Sequence, residues 1–276
     1  MGLRVTTNMP AINAQRNLMN SQRAVQMSSA QLASGSRITK SADDAAGLAI
    51  SENMKSQIRS STQARRNAND GISLVQTAEG GLSETSNIIT RMRELAIQSS
   101  SDTVGSAERD MIDKEVQQLK AEVQRIADTV TWNTTKLLDG TTPVFDFQVG
   151  LYSTENDRIS FDSSVNVTTL DGLGITDLDY TQKEGSRMAL TMLDGAQTQI
   201  NGMRANLGAL QNRLVSTTDT LAVSEENLAA ANSRIRDTDI AQSSTEMARN
   251  NLLLQTGTAT LAQANQNGQL ALKLLS

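Results

Sequence analysis

The sequence predicts a mainly α fold: an elongated antiparallel helical bundle, or coiled-coil rod, with a small β-hairpin region near the middle of the chain and paired N- and C-terminal helices. Three observations carry this. Every seventh residue from Leu193 through Ile200, Leu207, Leu214, Leu221 and Leu228 to Ile235 is a branched aliphatic, which describes one long helix with an apolar seam. Two shorter rows of helical period lie earlier in the chain. The one Trp, two Tyr and three Phe all fall between Trp132 and Tyr180, so the middle differs in kind from both flanks.

Composition narrows the function. The 276 residues include no Cys and no His. That removes disulfides, zinc sites with N or S ligands, thiol nucleophiles and the usual general base. The prediction is a non-enzyme without cofactor or metal. A net charge of −5 implies no bulk attraction to nucleic acid. No apolar run is long enough to span a membrane. The first residues lack the apolar core of a cleaved signal peptide. Met1-Gly2 with Thr6 fits a myristoylation pattern too short to carry weight.

Residues 1–40 are basic, and the first acidic residue is Asp43. Apolar residues recur through Val5, Met9, Ile12, Leu18, Met19, Val25, Met27, Leu32 and Ile38, which predicts an amphipathic helix from about Pro10 to Ala33. Ser34-Gly35-Ser36 reads as a turn. Asp43 and Asp44 then suit the start of a new helix, where carboxylates meet free N–H groups. Its seam is Ala68, Val75, Leu82, Ile89 and Ala96, widened by Ile72, Ala78 and Met92, and it ends near Ser99 to Ser101. A third helix spans Ala107 to Val130, with Ile112, Val116, Leu119, Val123, Ile126 and Val130 alternately four and three apart.

From Thr131 to Tyr180 the period changes to two. Phe145, Phe147 and Val149, then Ile159 and Phe161, then Val165 and Val167 alternate with polar residues and read as short strands. Turns are expected at Asp139-Gly140, Glu155-Asn156-Asp157 and Asp171-Gly172. Asn133 and Asn166 head glycosylation sequons by pattern only. The long helix follows, roughly 65 Å at 1.5 Å per residue, and Arg236-Asp237-Thr238-Asp239 breaks it. The tail 241–276 carries only Glu246, Arg249 and Lys273 as charges but many leucines, so it reads as a helix with an apolar face and little to keep it soluble alone.

The layout is symmetric: a sticky helix at each end, heptad helices inside, a β element in the middle. The economical fold bends the whole chain into a hairpin with its terminal helices together. Two helices cannot cover two apolar faces on each other, whereas many stacked copies can. Self-assembly follows from this pattern alone.

Longer motifs are similar to a known family. Ser34-Gly35-Ser36-Arg37-Ile38 precedes Ala42-Asp43-Asp44-Ala45-Ala46-Gly47-Leu48-Ala49-Ile50, Asn69-Asp70-Gly71-Ile72 and Arg91-Met92-Arg93-Glu94-Leu95-Ala96. Leu207-Gly208-Ala209-Leu210-Gln211-Asn212-Arg213-Leu214, Ser233-Arg234-Ile235-Arg236-Asp237 and Leu261-Ala262-Gln263-Ala264-Asn265-Gln266 follow near the C-terminus. With these motifs in order over its whole length, the chain resembles a bacterial flagellin of short form, lacking large outer domains.

The resemblance implies a subunit that assembles into the extracellular flagellar filament for swimming. Residues 1–42 and 236–276 would form the inner core as terminal helices, around which 43–235 forms a helical rod domain including the β region at about 131–181. Subunit assembly would fall to Ile12, Leu18, Met19, Val25, Leu32, Met247, Leu254, Leu261, Leu272 and Leu275, and the rod seam to the heptad row from Leu193 to Ile235. It further implies type III export without a cleaved signal peptide, a chaperone on the C-terminal region, and cap and junction proteins. An innate immune receptor in vertebrates would contact Arg91, Leu95 and Glu115. Thr90 and Gly268 depart from residues common in the family, Gln and Pro respectively, and Gly268 should loosen the local helix. Other readings predict differently. A minor filament or hook–filament junction protein shares both ends; a coiled-coil binding module predicts a closed small oligomer; a membrane-active helix predicts lipid binding through residues 1–40.

Overall fold

A computed structural model describes the backbone of residues 7–141 and 144–273, and side chains as far as residue 266. In chain order the elements are α1 (Met9–Ser34), α2 (Ala45–Ser99), α3 (Ser106–Thr129), β1 (Thr131–Trp132), β2 (Thr135–Lys136), β3 (Phe145–Gln148), β4 (Arg158–Phe161), α4 (Lys183–Arg236) and α5 (Ile240–Lys273). The mainly α class holds, with the terminal helices packed together and two small antiparallel sheets mid-chain. Two compact units divide the chain: residues 1–58 with 227–276, and residues 59–226. Among the described residues no helix is long and apolar enough to cross a membrane.

The larger unit holds the main core. The predicted seam of α2 is fully enclosed: Ala68, Val75, Leu82, Ile89 and Ala96 are at most 1% exposed. It meets Ile112, Val116, Val123 and Ile126 of α3 and Leu193, Ile200, Leu207, Leu210 and Leu214 of α4. Polar partners between α2 and α4 advance in opposite directions by sevens. Glu79 faces Arg204 at 3.9 Å, and Ser86 Oγ accepts from Gln197 Nε2 at 2.8 Å. This is the register of an antiparallel coiled coil.

Helix ends follow local chemistry. The Asp44 carboxylate accepts the Gly47 N–H at 2.8 Å and caps α2, while Asp43 closes the turn before it by accepting from Thr39 and Lys40. The Arg109 guanidinium donates to the carbonyls of Ser99 and Ser101, satisfying the C-terminal end of α2.

In the middle, β3 pairs with β4, Phe147 opposite Ile159. Phe145 and Phe161 stack at 6.1 Å on the buried side. One expected strand, over Val165 and Val167, is corrected. Val165 ends a short 3₁₀ turn, Ser163–Val165, and no strand includes Val167. The turn wins because Asp162 accepts the Ser164 N–H at 2.9 Å, and Val167 fills the space beside Gly140 and Gly172. The sequence reading also missed the hairpin β1–β2. Its two turn residues, Asn133 and Thr134, both take positive φ, 44° and 71°, as a type I′ turn demands. Asn133 is exposed, but Asn166 is 3% exposed and closed to glycan attachment. At the C-terminal end the backbone of α5 continues as helix through Asn267-Gly268.

Candidate assembly surface

In the unit made by the chain ends, α1 and α5 lie antiparallel. Asn8 Nδ2 donates to the Ala264 carbonyl at 2.9 Å at one end of the pair, and Thr238 N–H donates to Gly35 O at 3.0 Å at the other. Gly35, at φ 67°, ends α1 in the left-handed conformation that glycine adopts without penalty. Arg37 locks the corner by donating from its guanidinium to the Ile235 carbonyl at 2.7 and 3.2 Å, and Ser36 bridges to Asp237.

The pair is built on a narrow seam. On α1 the seam runs through Ala14, Leu18, Ser21, Val25, Ser28 and Leu32, with Ala11, Ala24 and Gln31 also partly covered; on α5 the covered positions are Ser243, Met247, Asn250, Leu254, Gly257, Leu261 and Ala264. Spacings alternate four and three on both helices, and bulky residues alternate with small or polar ones. A Cβ at Gly257 would stand 3.0 Å from Leu18 Cδ1, so the leucine fills the gap the glycine leaves. Of the expected assembly residues, Leu18, Val25, Leu32, Met247, Leu254 and Leu261 are half-buried in this seam. Ile12 and Met19 point away from it, 43% and 49% exposed, with Met9 and Met27. On α5, Leu252 is 65% exposed. The Leu272 side chain and all of Leu275 lie outside the described residues. A helix pair with large apolar groups on its outer faces leaves that area for another surface to cover.

The heptad row on α4 divides. Leu193, Ile200, Leu207, Leu214 and Leu221 are at most 7% exposed, whereas Leu228 and Ile235, in the unit of the chain ends, are half-buried.

On the larger unit, the Arg91 guanidinium joins α2 to α3, pairing with Glu94 and Glu115 at 3.0 Å each. Hydrogen bonds donated to Glu94 first and Glu115 second hold the guanidinium above its ordinary pKa. Leu95, expected beside them at the surface, is 2% exposed and faces the core. The signal was present: Leu95 stands three residues after Met92, on the same apolar stripe.

The pattern of helices at both chain ends has close counterparts. Residues 5–142 match the bacterial flagellin N-terminal helical region, and residues 190–275 match the bacterial flagellin C-terminal helical region. The chain belongs to the bacterial flagellin family. It is 45% identical over 274 residues to a flagellin of Halalkalibacterium halodurans, covering 98% of this chain and 99% of that one. It is 39% identical over 303 residues to a flagellin of Bacillus subtilis, covering 99% and 100%. A flagellar filament 33 kDa core protein of Treponema phagedenis is 41% identical over 287 residues, with 98% and 99% covered. The crystal structure of Bacillus cereus flagellin superposes with a TM-score of 0.51 at 29% identity, over 60% of this chain and 94% of that one.

Flagellins are structural filament proteins rather than enzymes, and this chain is a self-assembling structural subunit of the extracellular flagellar filament. Near-complete coverage of short relatives agrees with the absence of a large inserted outer domain.

Proposed function

We propose that the paired terminal helices are the device that joins copies, and that residues 1–42 and 236–276 form the inner core of the filament with 43–235 around it. One observation carries this reading: α1 and α5 fill their shared seam yet keep Ile12, Met19 and Leu252 exposed. Leu18, Val25, Leu32, Met247, Leu254 and Leu261 hold the pair; Ile12 and Met19 meet neighbouring copies. Leu272 stands on the last turn of α5, and Leu275 lies outside the described residues. The test is the double variant Met19→Asp with Leu252→Asp. It is expected to keep the monomer's melting temperature and to lose seeded filament growth, scored by negative-stain microscopy. Normal filaments from it would remove the outer faces from the assembly surface.

The finer partners follow the same reading. Export passes through the flagellar type III apparatus without a cleaved signal. A chaperone covers the apolar tail at 241–276 before assembly, and cap and junction proteins meet the filament at its ends. On the larger unit the exposed Arg91 and Glu115 suit contact with an innate immune receptor, with Leu95 supporting them from beneath.

A further inference from the structure

The β3–β4 pair has two outer edges, each with one main-chain group already taken. Val149 N–H donates to the Asp157 carbonyl at 2.9 Å. Bonded and non-bonded pairs alternate along an antiparallel ladder. Given the register, Ile159 and Phe161 turn their main-chain groups toward β3, and Arg158 and Ser160 turn theirs outward. On the β3 side the outward Gln148 carbonyl is taken by Asn67 Nδ2 of α2 at 2.9 Å. On the β4 side the Arg158 N–H is taken by the Glu155 carbonyl, while the Arg158 carbonyl and both the N–H and carbonyl of Ser160 have no partner among the described residues.

That free edge borders a cleft over α4. About 680 Å³ lies against Arg158 and the α4 turn from Asn212 to Thr217, and about 260 Å³ more runs past Ser160 to Asn166. Arg213 lines both parts. Among the described residues neither Arg158 nor Arg213 has an ion-pair partner. The acids nearby form no ion pair with them: Asp157 and Asp162 are engaged by Thr154 and Ser164 in their own turns, and Glu155 lines the wider part of the cleft. Leu207 and Leu210 give an apolar floor. At the inner end Asn166, 3% exposed, donates through Nδ2 to the Asp162 carbonyl at 3.2 Å, which orients the amide. Its Oδ1 is buried with no donor. A buried acceptor left unpaired is costly, and a ligand bringing an N–H removes that cost.

We propose that this cleft binds an extended acidic peptide as a third strand on β4. Its main chain pairs with the Arg158 carbonyl and with the N–H and carbonyl of Ser160, a carboxylate side chain sits between the Arg158 and Arg213 guanidiniums, and a donor reaches Asn166 Oδ1. Outward N–H and C=O groups at strand spacing are met by a peptide main chain and by no sugar or simple anion. Free guanidiniums select the carboxylate.

The test uses the unpolymerised full-length chain and a fluorescent acetyl-Thr-Glu-Val-Glu-Val-Thr-amide probe, read by anisotropy and by amide hydrogen exchange. Saturable binding should slow exchange at the Ser160 amide. Arg213→Glu should weaken it about tenfold, as the loss of a charge-assisted contact does. Ser160→Pro, tolerated at an edge strand, should abolish it with the melting temperature kept. The proposal is overturned if wild type shows no slowed exchange at that amide, or if a lysine-for-glutamate probe binds as well. A Ser160→Pro chain that fails only in filament growth, from a parent that binds no probe, would make the edge a contact between copies and equally overturn it. Should Ser160→Pro not fold, Arg213→Glu and the exchange data decide alone.

Discussion

Leu214 sits where three elements meet. It is fully buried, and a Cβ at Gly71 of α2 would lie 3.3 Å from its Cδ1 and 3.2 Å from the Phe147 ring of β3. A carboxylate placed there has no partner and no water. Leu214→Asp should destabilise by about 3–5 kcal/mol, the scale of an unpaired buried charge, seen as a lower midpoint in denaturant titration; an unchanged midpoint would show that the seam is not closed. Tyr180 is the second residue-level constraint. Its hydroxyl donates to the Met92 carbonyl at 3.2 Å in a fully buried site. Burial first, and the Asp113 charge second, push the phenol well above its ordinary value. A raised folded pKa means its contribution is complete below the unfolded value of about 10 and is lost as pH rises beyond it. Thermal melts from pH 8 to 11.5 should therefore fall more steeply for wild type than for Tyr180→Phe, which at neutral pH loses only the hydrogen bond, about 1 kcal/mol. Parallel curves would remove Tyr180 as the alkaline trigger.

At the scale of elements, apolar period accounts for most of what forms. The α3 helix was legible to within a residue at each end because its seam alternates strictly and Val130 leaves the helical conformation. The hairpin β1–β2 was not, because its two-residue strands carry too little pattern and its turn uses Asn133-Thr134 rather than a glycine. The α1–α5 pair depends on size alternation, and Gly257 is its sharpest point. Adding a Cβ 3.0 Å from Leu18 Cδ1 asks the leucine to move, and a β-branched side chain asks for more. Gly257→Val should lower protection from hydrogen exchange in α1 and α5 while leaving residues 59–226 protected. Wild-type protection in both terminal helices would show that the seam tolerates bulk there.

For the whole molecule, the consequence is a division of labour between the two units. The main apolar core lies in residues 59–226, so removing 241–276 takes away α5 and leaves that core intact. The truncated chain should melt cooperatively and should not polymerise with or without filament seeds. Filaments from it, seen by microscopy, would show that the terminal pair is not the assembly device.

The sequence by itself determined the helical class, the seams of α2, α3 and α4, the stickiness of the chain ends and the flagellin motifs. Each of these is periodic or contiguous, and a residue's side on a helix follows from its number. Which apolar residue meets which partner was decided only by the tertiary structure. Leu18 turns to α5 while Met19 turns to solvent, Leu214 meets Gly71 and Phe147, and Asn67 reaches across to the outward Gln148 carbonyl of β3. Such choices depend on how elements distant in the chain approach one another, and no local period encodes that approach.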